Sequence, residues 1–129
     1  MQTLLLAVNG TLMRGLKLSQ NMYNVGAEFA EEAKTAPCYR LWSIKDDHPG
    51  MIRVREGGTS VELELWRVPF EGLGKILMNE PAGLSIGKVQ LADGREVLGV
   101  LAEPWLVEGE KEITDFGGWR VYMNEPFST

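Results

Sequence analysis

Glycine and proline divide this chain into short segments. The 129 residues include 15 glycines and 6 prolines, spread along a sequence that contains no repeat and no low-complexity tract. Both residues interrupt regular structure, and short intervals between them are typical of strands joined by tight turns. No shift in composition marks a boundary, and a chain of this length usually folds as one unit, so we expect a single domain over residues 1–129.

The composition and charge argue against several classes of protein. Hydrophobic residues make up 44% of the chain and charged residues 24%, which is near the globular average and argues against disorder. A net charge of −5 does not provide the basic surface that binds nucleic acids or anionic membranes, so we expect neither as a partner. The only cysteine, Cys38, and the only histidine, His48, argue against a disulfide framework or a cysteine-rich metal site. We therefore expect no metal and no other cofactor.

The most apolar run, Leu4–Val8, reaches the polar Asn9 after five residues. It is far shorter than the ~20 residues that span a bilayer, and it lacks the basic residues that begin an export signal. We expect a buried first strand over Gln2–Val8 and a cytoplasmic protein.

The remaining pattern predicts about seven short strands. They are Gln2–Val8, Gly26–Lys34, Cys38–Lys45, Met51–Arg55, Ser60–Val68, Lys88–Ala92 and Arg95–Leu101. Asp46–Gly50 is predicted to be a turn, and hairpins are predicted across Glu56–Thr59 and across the strong turn signal Asp93-Gly94. From Val61 to Trp66 apolar residues alternate with glutamates and the tryptophan, which predicts one buried and one largely solvated face.

The hydrophobic spacing becomes helical over Phe70–Asn79, and Pro81 disfavours helix at the residue before it. Asp115–Met123 is predicted to be a short final helix or strand. Because most strands are joined by hairpins, we expect an α+β fold with a largely antiparallel sheet. Closing that sheet into a barrel would remove its exposed edges.

The loop Asn9–Gly15 follows the first strand directly. Gly10 allows a sharp turn that leaves backbone N–H groups free to face a ligand, and Thr11 adds a hydroxyl. The planar guanidinium of Arg14 suits a carboxylate. The alternative is an ordinary surface loop, and the spacing of a phosphate-binding loop is absent.

Glu80 is a candidate acid–base residue. It follows Ile76 by four residues and Leu73 by seven, so its carboxylate is expected toward the apolar side of the helix. Partial desolvation there would raise its pKa and suit it to proton transfer near neutral pH. The alternative is a solvated glutamate at the end of a helix.

Tyr39 and Arg40 are the polar groups of the segment Thr35–Trp42 that could best reach an anionic substrate. Cys38 has no activating partner visible in the sequence, so we expect an inert thiol. His48 is flanked by aspartate and proline and is expected to be exposed in a turn.

Four separated segments together resemble the γ-glutamylcyclotransferase-like superfamily, and most closely the C-terminal domain of allophanate hydrolase. They are Gly10–Gly15, Thr35–Trp42, Ser85–Gly94 and Phe116–Tyr122. Phe116–Tyr122 could pack across the core or form a pocket wall. Ile76–Glu80 lies where the superfamily has a Leu-Asp-x-x-Glu segment. The resemblance implies a small mixed β-barrel with flanking helices, a substrate-holding loop at Gly10, and Glu80 as the general acid/base.

We therefore expect a small-molecule enzyme that acts on an amide, carbamate or γ-glutamyl-type anionic substrate. Glu80 is the predicted catalytic residue, and the predicted substrate-binding residues are Asn9, Gly10, Thr11, Leu12, Tyr39 and Arg40. The length leaves no room for an amidase domain, so allophanate hydrolysis by this chain alone is not expected. The alternative is a non-catalytic binding or assembly module that works with a separately encoded amidase or self-associates.

Overall fold

The structure is a computed structural model that describes residues 2–124, in which two β-sheets and several short helices form. The strands are β1 (Thr3–Val8), β2 (Glu28–Lys34), β3 (Tyr39–Ile44), β4 (His48–Arg53), β5 (Glu62–Pro69), β6 (Leu84–Gln90), β7 (Glu96–Ala102) and β8 (Lys111–Glu112). The helices are α1 (Gln20–Asn24), α2 (Phe70–Met78), α3 (Pro104–Val107) and α4 (Trp119–Asn124), and a 3-10 turn spans Thr114–Phe116. Within this range, no helix has the length and apolarity needed to cross a membrane.

The larger sheet has the strand order β2-β5-β1-β7-β6, and the smaller sheet has the order β4-β3-β8. The paired strands are antiparallel except β1 and β7, which run parallel and pair Leu6 with Leu98. The predicted α+β class with a mostly antiparallel arrangement is therefore confirmed. Both sheets contribute buried residues to the core, such as Leu65 of β5 and Leu41 of β3, together with Met22, Ile76 and Tyr122 from the helices.

The predicted barrel does not form, because neither sheet closes on itself. The edge strands β2 and β6 meet at one isolated pair, Thr35 with Leu91. On one side of this pair β6 turns back at Asp93-Gly94 into β7, and on the other side Pro37 interrupts the chain. Proline has no N–H to donate and restricts the residue before it, so pairing cannot continue and the chain leaves for the smaller sheet.

The turn between β3 and β4 is shorter than predicted. Positive φ values of 54° and 58° at Lys45 and Asp46 reverse the chain there. β4 begins at His48, which pairs with Ile44. Because β4 pairs with β3, and β5 pairs with β1 and β2, the hairpin predicted across Glu56–Thr59 is wrong.

Three local predictions are confirmed: β1, the helix α2 and the hairpin of β6 with β7. At nine residues α2 is the longest helix among residues 2–124. The alternation along β5 holds only in part, because Glu64 and Trp66 are as buried as their apolar neighbours Leu63 and Leu65. The ring of Tyr23 packs edge-on against Trp66, and Arg14 covers Glu64, so this face of β5 is not solvated.

Candidate functional site

Three separate parts of the chain meet in one narrow cleft. They are the loop after β1, the start of β4 and the chain after α2, and the lining residues are Val8, Asn9, Gly10, Thr11, Leu12, His48, Pro49, Glu80, Leu84 and Val100. The volume of the cleft is about 10 Å³. A single water molecule needs ~10–15 Å³, so in this conformation the cleft is almost closed.

The cleft is narrow because the loop after β1 packs directly on β4. A Cβ atom added to Gly10 would lie 2.5 Å from Cδ and 2.6 Å from Cγ of Pro49. Glycine is therefore needed at this position for close approach. A ligand larger than a water molecule therefore requires the cleft to widen.

Hydrogen bonds hold the loop after β1 in place and leave two of its backbone N–H groups without an acceptor among the described residues. The Nδ2 group of Asn9 donates to the carbonyl oxygen of Val100 at 3.0 Å, which ties the end of β1 to β7. The carbonyls of Gly10 and Thr11 accept from N–H groups later in the loop, each at 2.9 Å. The backbone N–H groups of Thr11 and Leu12 have no acceptor within the described part of the chain. Both residues line the cleft, and we expect these N–H groups to donate to an anionic or carbonyl oxygen of a ligand there.

Glu80 supplies the carboxyl group of the cleft. Its N–H donates to the carbonyl oxygen of Leu77 at 3.1 Å, which fixes its backbone at the end of α2. The Oε2 atom is buried and has no hydrogen-bond partner among residues 2–124. Burial raises the pKa of Glu80 from its ordinary value of 4.5 to about 7. The carboxyl group therefore exchanges a proton near neutral pH, and it lies with Gly10 in the same cleft, while its catalytic role stays a prediction.

His48 is a residue of the cleft that the sequence did not indicate. The residue predicted to be exposed in a turn is only 6% exposed. Its Nδ1 atom lies 3.3 Å from the carbonyl oxygen of Pro49. The error has a local cause: the chain reverses at Lys45 and Asp46, whereas the turn residues Pro49 and Gly50 lie within β4, so the start of this strand was assigned to the turn.

Tyr39 and Arg40 do not line the cleft, which differs from the prediction. Tyr39 is fully buried, and its hydroxyl oxygen accepts a hydrogen bond of 2.9 Å from the N–H of Gln90. Gln90 ends β6, whereas the cleft lies at the strand's other end. Arg40 crosses from β3 to β8 and donates from Nε to Glu112 at 2.7 Å. Both residues therefore hold strands together at a distance from Glu80.

Arg14 also points away from the cleft and binds a buried carboxylate. Glu64 accepts from the Arg14 backbone N–H at 2.9 Å, and from Arg14 Nε, Trp66 Nε1 and an Arg120 Nη2 at 3.1 Å each. Burial alone would raise the pKa of Glu64, but these hydrogen bonds outweigh it and hold the pKa below its ordinary value. The ionised Glu64 thus anchors the loop after Gly10.

A wider groove of about 260 Å³ lies beyond Glu64, away from Glu80. Trp119 and Arg120 form one of its walls, so the segment Phe116–Tyr122 both packs on the core and lines a groove. Across residues 2–124, no group of three or more histidine, cysteine, aspartate or glutamate side chains is arranged to hold a metal ion.

Known proteins with a similar sequence or structure point to one family of domains. A family model described as the allophanate hydrolase C-terminal domain matches residues 4–124. Urea amidolyase of Saccharomyces cerevisiae is 32% identical over 125 residues, which is 92% of this chain and 7% of that protein. The chain therefore spans less than a tenth of the length of this relative.

Solved structures agree in fold. A uropathogenic E. coli-specific protein superposes with a TM-score of 0.95 at 60% identity, covering 98% of this chain and 99% of that chain. Kluyveromyces lactis allophanate hydrolase gives 0.89 at 30% identity, covering 95% of this chain and 21% of that chain. A γ-glutamyl cyclotransferase shares the fold at a TM-score of 0.54 and 12% identity, covering 86% and 70%. The chain belongs to the allophanate hydrolase C-terminal domain family.

Proposed function

We propose that this chain is a small-molecule enzyme in which Glu80 transfers a proton to or from a small amide, carbamate or γ-glutamyl-type anion. The observation that carries the proposal is that Glu80 lines the cleft and that its Oε2 atom is buried without a hydrogen-bond partner among the described residues. A buried, unpaired carboxyl oxygen costs stability, so its retention is understandable if a bound ligand supplies the partner.

The chemistry follows from the groups of the cleft. A protonated carboxyl group with a pKa of about 7 can protonate the nitrogen or oxygen of an amide, and its ionised form can accept the proton back. The N–H groups of Thr11 and Leu12 would stabilise negative charge that develops on a carbonyl oxygen. Holding the substrate between these groups reduces the entropic cost of reaching the transition state.

The size of the cleft restricts the substrate class. A space of about 10 Å³ must widen before any substrate binds, and separating the closely packed Gly10 and Pro49 is one way to widen it. The relative named allophanate hydrolase suggests a suitable chemistry, because allophanate is a small anion that combines a carboxylate with amide groups. The proposed substrate is of that kind and size.

The test is a comparison of two glutamate-to-glutamine variants. Wild type, Glu80→Gln and Glu71→Gln are incubated with small carbamates, ureido acids and γ-glutamyl amides, and turnover is followed by proton NMR. Glu71 lies in the first turn of the same helix and is exposed, so it is the matched control. We expect Glu80→Gln to lose turnover by at least ~100-fold, the lower end for general acid–base groups, and Glu71→Gln to keep it. Turnover by Glu80→Gln at the wild-type rate contradicts the proposal.

A second candidate function is a non-catalytic module that assembles with an amidase. Two observations favour it: the relatives carry this domain as 7% or 21% of a longer chain, and large apolar side chains are exposed. Met78 is 85% exposed at the end of α2, and Phe70 and Trp105 are 53% and 55% exposed. If no compound of the panel is turned over or bound, and Met78→Asp abolishes binding to an added amidase, this second function replaces the first.

A further inference from the structure

His48 lines the cleft that also contains Glu80. It is the first residue of β4, and its backbone pairs with Ile44 across the tight turn of β3 and β4. It is 6% exposed, and it lines the same cleft as Glu80 and Thr11. An imidazole and a carboxyl group from two different elements therefore face one small space.

The contact of its ring with the backbone defines which nitrogen can exchange a proton. Nδ1 lies 3.3 Å from the carbonyl oxygen of Pro49, and a carbonyl oxygen only accepts hydrogen bonds. This contact favours the tautomer with the proton on Nδ1, which leaves a lone pair on Nε2. The contact at Nδ1 is the one hydrogen bond found for the His48 ring among residues 2–124, so the lone pair of Nε2 can accept a proton from a ligand.

The charged groups around His48 have partners of their own. Asp47, its neighbour in the chain, pairs with Lys17 at 2.5 Å on the exposed side. Asp46 accepts hydrogen bonds from the hydroxyl groups of Ser43 and Tyr122. Glu80 is the other titratable group that lines the cleft, and its Oε2 atom is unpaired among the described residues.

We infer that His48 is a second proton-transfer residue, which acts as the base while Glu80 acts as the acid on the same substrate; this inference rests on the proposed function. Nε2 accepts the proton of the nucleophile, which is a water or the substrate's own amine, as the nucleophile bonds to the carbonyl carbon. The carbon–nitrogen bond then breaks, and Glu80 gives its proton to the leaving nitrogen. His48 has then gained one proton and Glu80 has lost one, and proton exchange with solvent later returns both residues to their starting states.

The chain offers an unusually direct test because it contains one histidine. In long-range proton–nitrogen NMR spectra of the untagged protein, a single set of imidazole signals reports on His48 without any assignment step. We expect the neutral ring to carry its proton on Nδ1, and we expect N-carbamoylglycine, used as the probe, to shift the Nε2 signal. A neutral ring protonated on Nε2, or ring signals that the probe leaves unchanged, overturns the inference.

Variants separate the failure of this inference from the failure of the proposed function. His48→Asn keeps a donor close to the Nδ1 position and removes Nε2, and Glu80→Gln removes the acid. With the substrate identified by the panel above, His48→Asn is expected to lose at least ~100-fold in kcat and to lose the acidic limb of the pH profile. Glu80→Gln is expected to lose the alkaline limb, because in the wild type this limb arises when the Glu80 carboxyl group loses the proton that it must donate.

Each outcome has a different meaning. A His48→Asn protein that keeps kcat and both limbs, while Glu80→Gln is inactive, overturns the role of His48 and leaves the proposed function standing. The reverse result, in which His48→Asn is inactive and Glu80→Gln keeps kcat and both limbs, overturns the proposed function and with it the pairing of His48 as base with Glu80 as acid. His48→Gln serves as a second variant if His48→Asn is misfolded, and a residue with a merely structural role would lower the amount of folded protein without removing a limb of the profile.

Discussion

Replacing Glu80 with glutamine should stabilise the protein, and the gain should depend on pH. Folding raises the pKa of Glu80 from 4.5 to about 7, because burial disfavours the charged form. Below pH 4.5 the carboxyl is protonated in both the folded and the unfolded chain, so it adds no pH-dependent cost. Between pH 4.5 and 7 the folded chain keeps a proton that the unfolded chain has released, so the free energy of unfolding falls as pH rises.

The size of the effect follows from the two pKa values. The difference is about 2.5, and each pKa unit corresponds to about 1.36 kcal/mol, so the ionised carboxylate costs the fold about 3 kcal/mol above pH 7. Glutamine is neutral at every pH and does not incur this cost. For a chain of this length, about 3 kcal/mol corresponds to a rise of about 10 °C in Tm.

The measurement is urea unfolding of wild type, Glu80→Gln and the control Glu71→Gln between pH 4.5 and 8.5. The advantage of Glu80→Gln over wild type should grow by about 3 kcal/mol across this range and level off above pH 7. Glu71→Gln should stay within about 0.5 kcal/mol of wild type throughout, because Glu71 is exposed. An advantage of the same size at pH 5 and pH 8.5 would refute the reasoning that burial of the Glu80 carboxylate raises its pKa.

Three further substitutions test the packing around the cleft, each by urea unfolding. Gly10→Ala should destabilise the fold by about 1–3 kcal/mol because the added Cβ would overlap Pro49. Gly74 has open space around it on α2, so Gly74→Ala should instead stabilise the fold by up to about 1 kcal/mol. Equal changes in the free energy of unfolding for the two variants would contradict this account of Gly10. Glu64→Gln should lower the free energy of unfolding by about 3 kcal/mol at pH 7. Because folding lowers the pKa of Glu64, this loss relative to wild type should shrink as the pH falls below 4.5. A loss that does not change with pH argues against this. Tyr39→Phe should cost about 1–3 kcal/mol through the lost hydrogen bond, yet leave probe binding unchanged, and weaker binding would place Tyr39 in the site after all.

The features that the sequence predicts well depend on local signals. The helical spacing after Phe70 and the Asp93-Gly94 turn specify α2 and the β6–β7 hairpin within a few residues of chain. The placement of Glu80 beside Gly10 agrees with expectation for the same reason. The end of α2 and the end of β1 are each defined locally, and the resemblance to a family connects them.

The features that the sequence does not predict depend on distant partners. Asp46 tolerates a positive φ of 58° while it accepts a hydrogen bond from Tyr122, which is 76 residues away in the chain. The sequence does not reveal this distant contact, so it does not indicate that the turn begins at Lys45 or that His48 belongs to β4. Tyr39 was assigned to the site because a tyrosine hydroxyl suits an anion, but its hydroxyl accepts instead from the N–H of Gln90.

The parallel pairing of β1 with β7 has a consequence for how the chain folds. Leu6 and Leu98 are partners although about 90 residues separate them, so the central strands of the larger sheet cannot join until a long loop closes. Loop closure of this kind costs entropy before any contact compensates for it, which slows folding. We expect refolding on the scale of milliseconds to seconds, with a transition state that already holds β1 beside β7. Substitutions that weaken this pair, such as Leu98→Ala, should then slow refolding more than they accelerate unfolding.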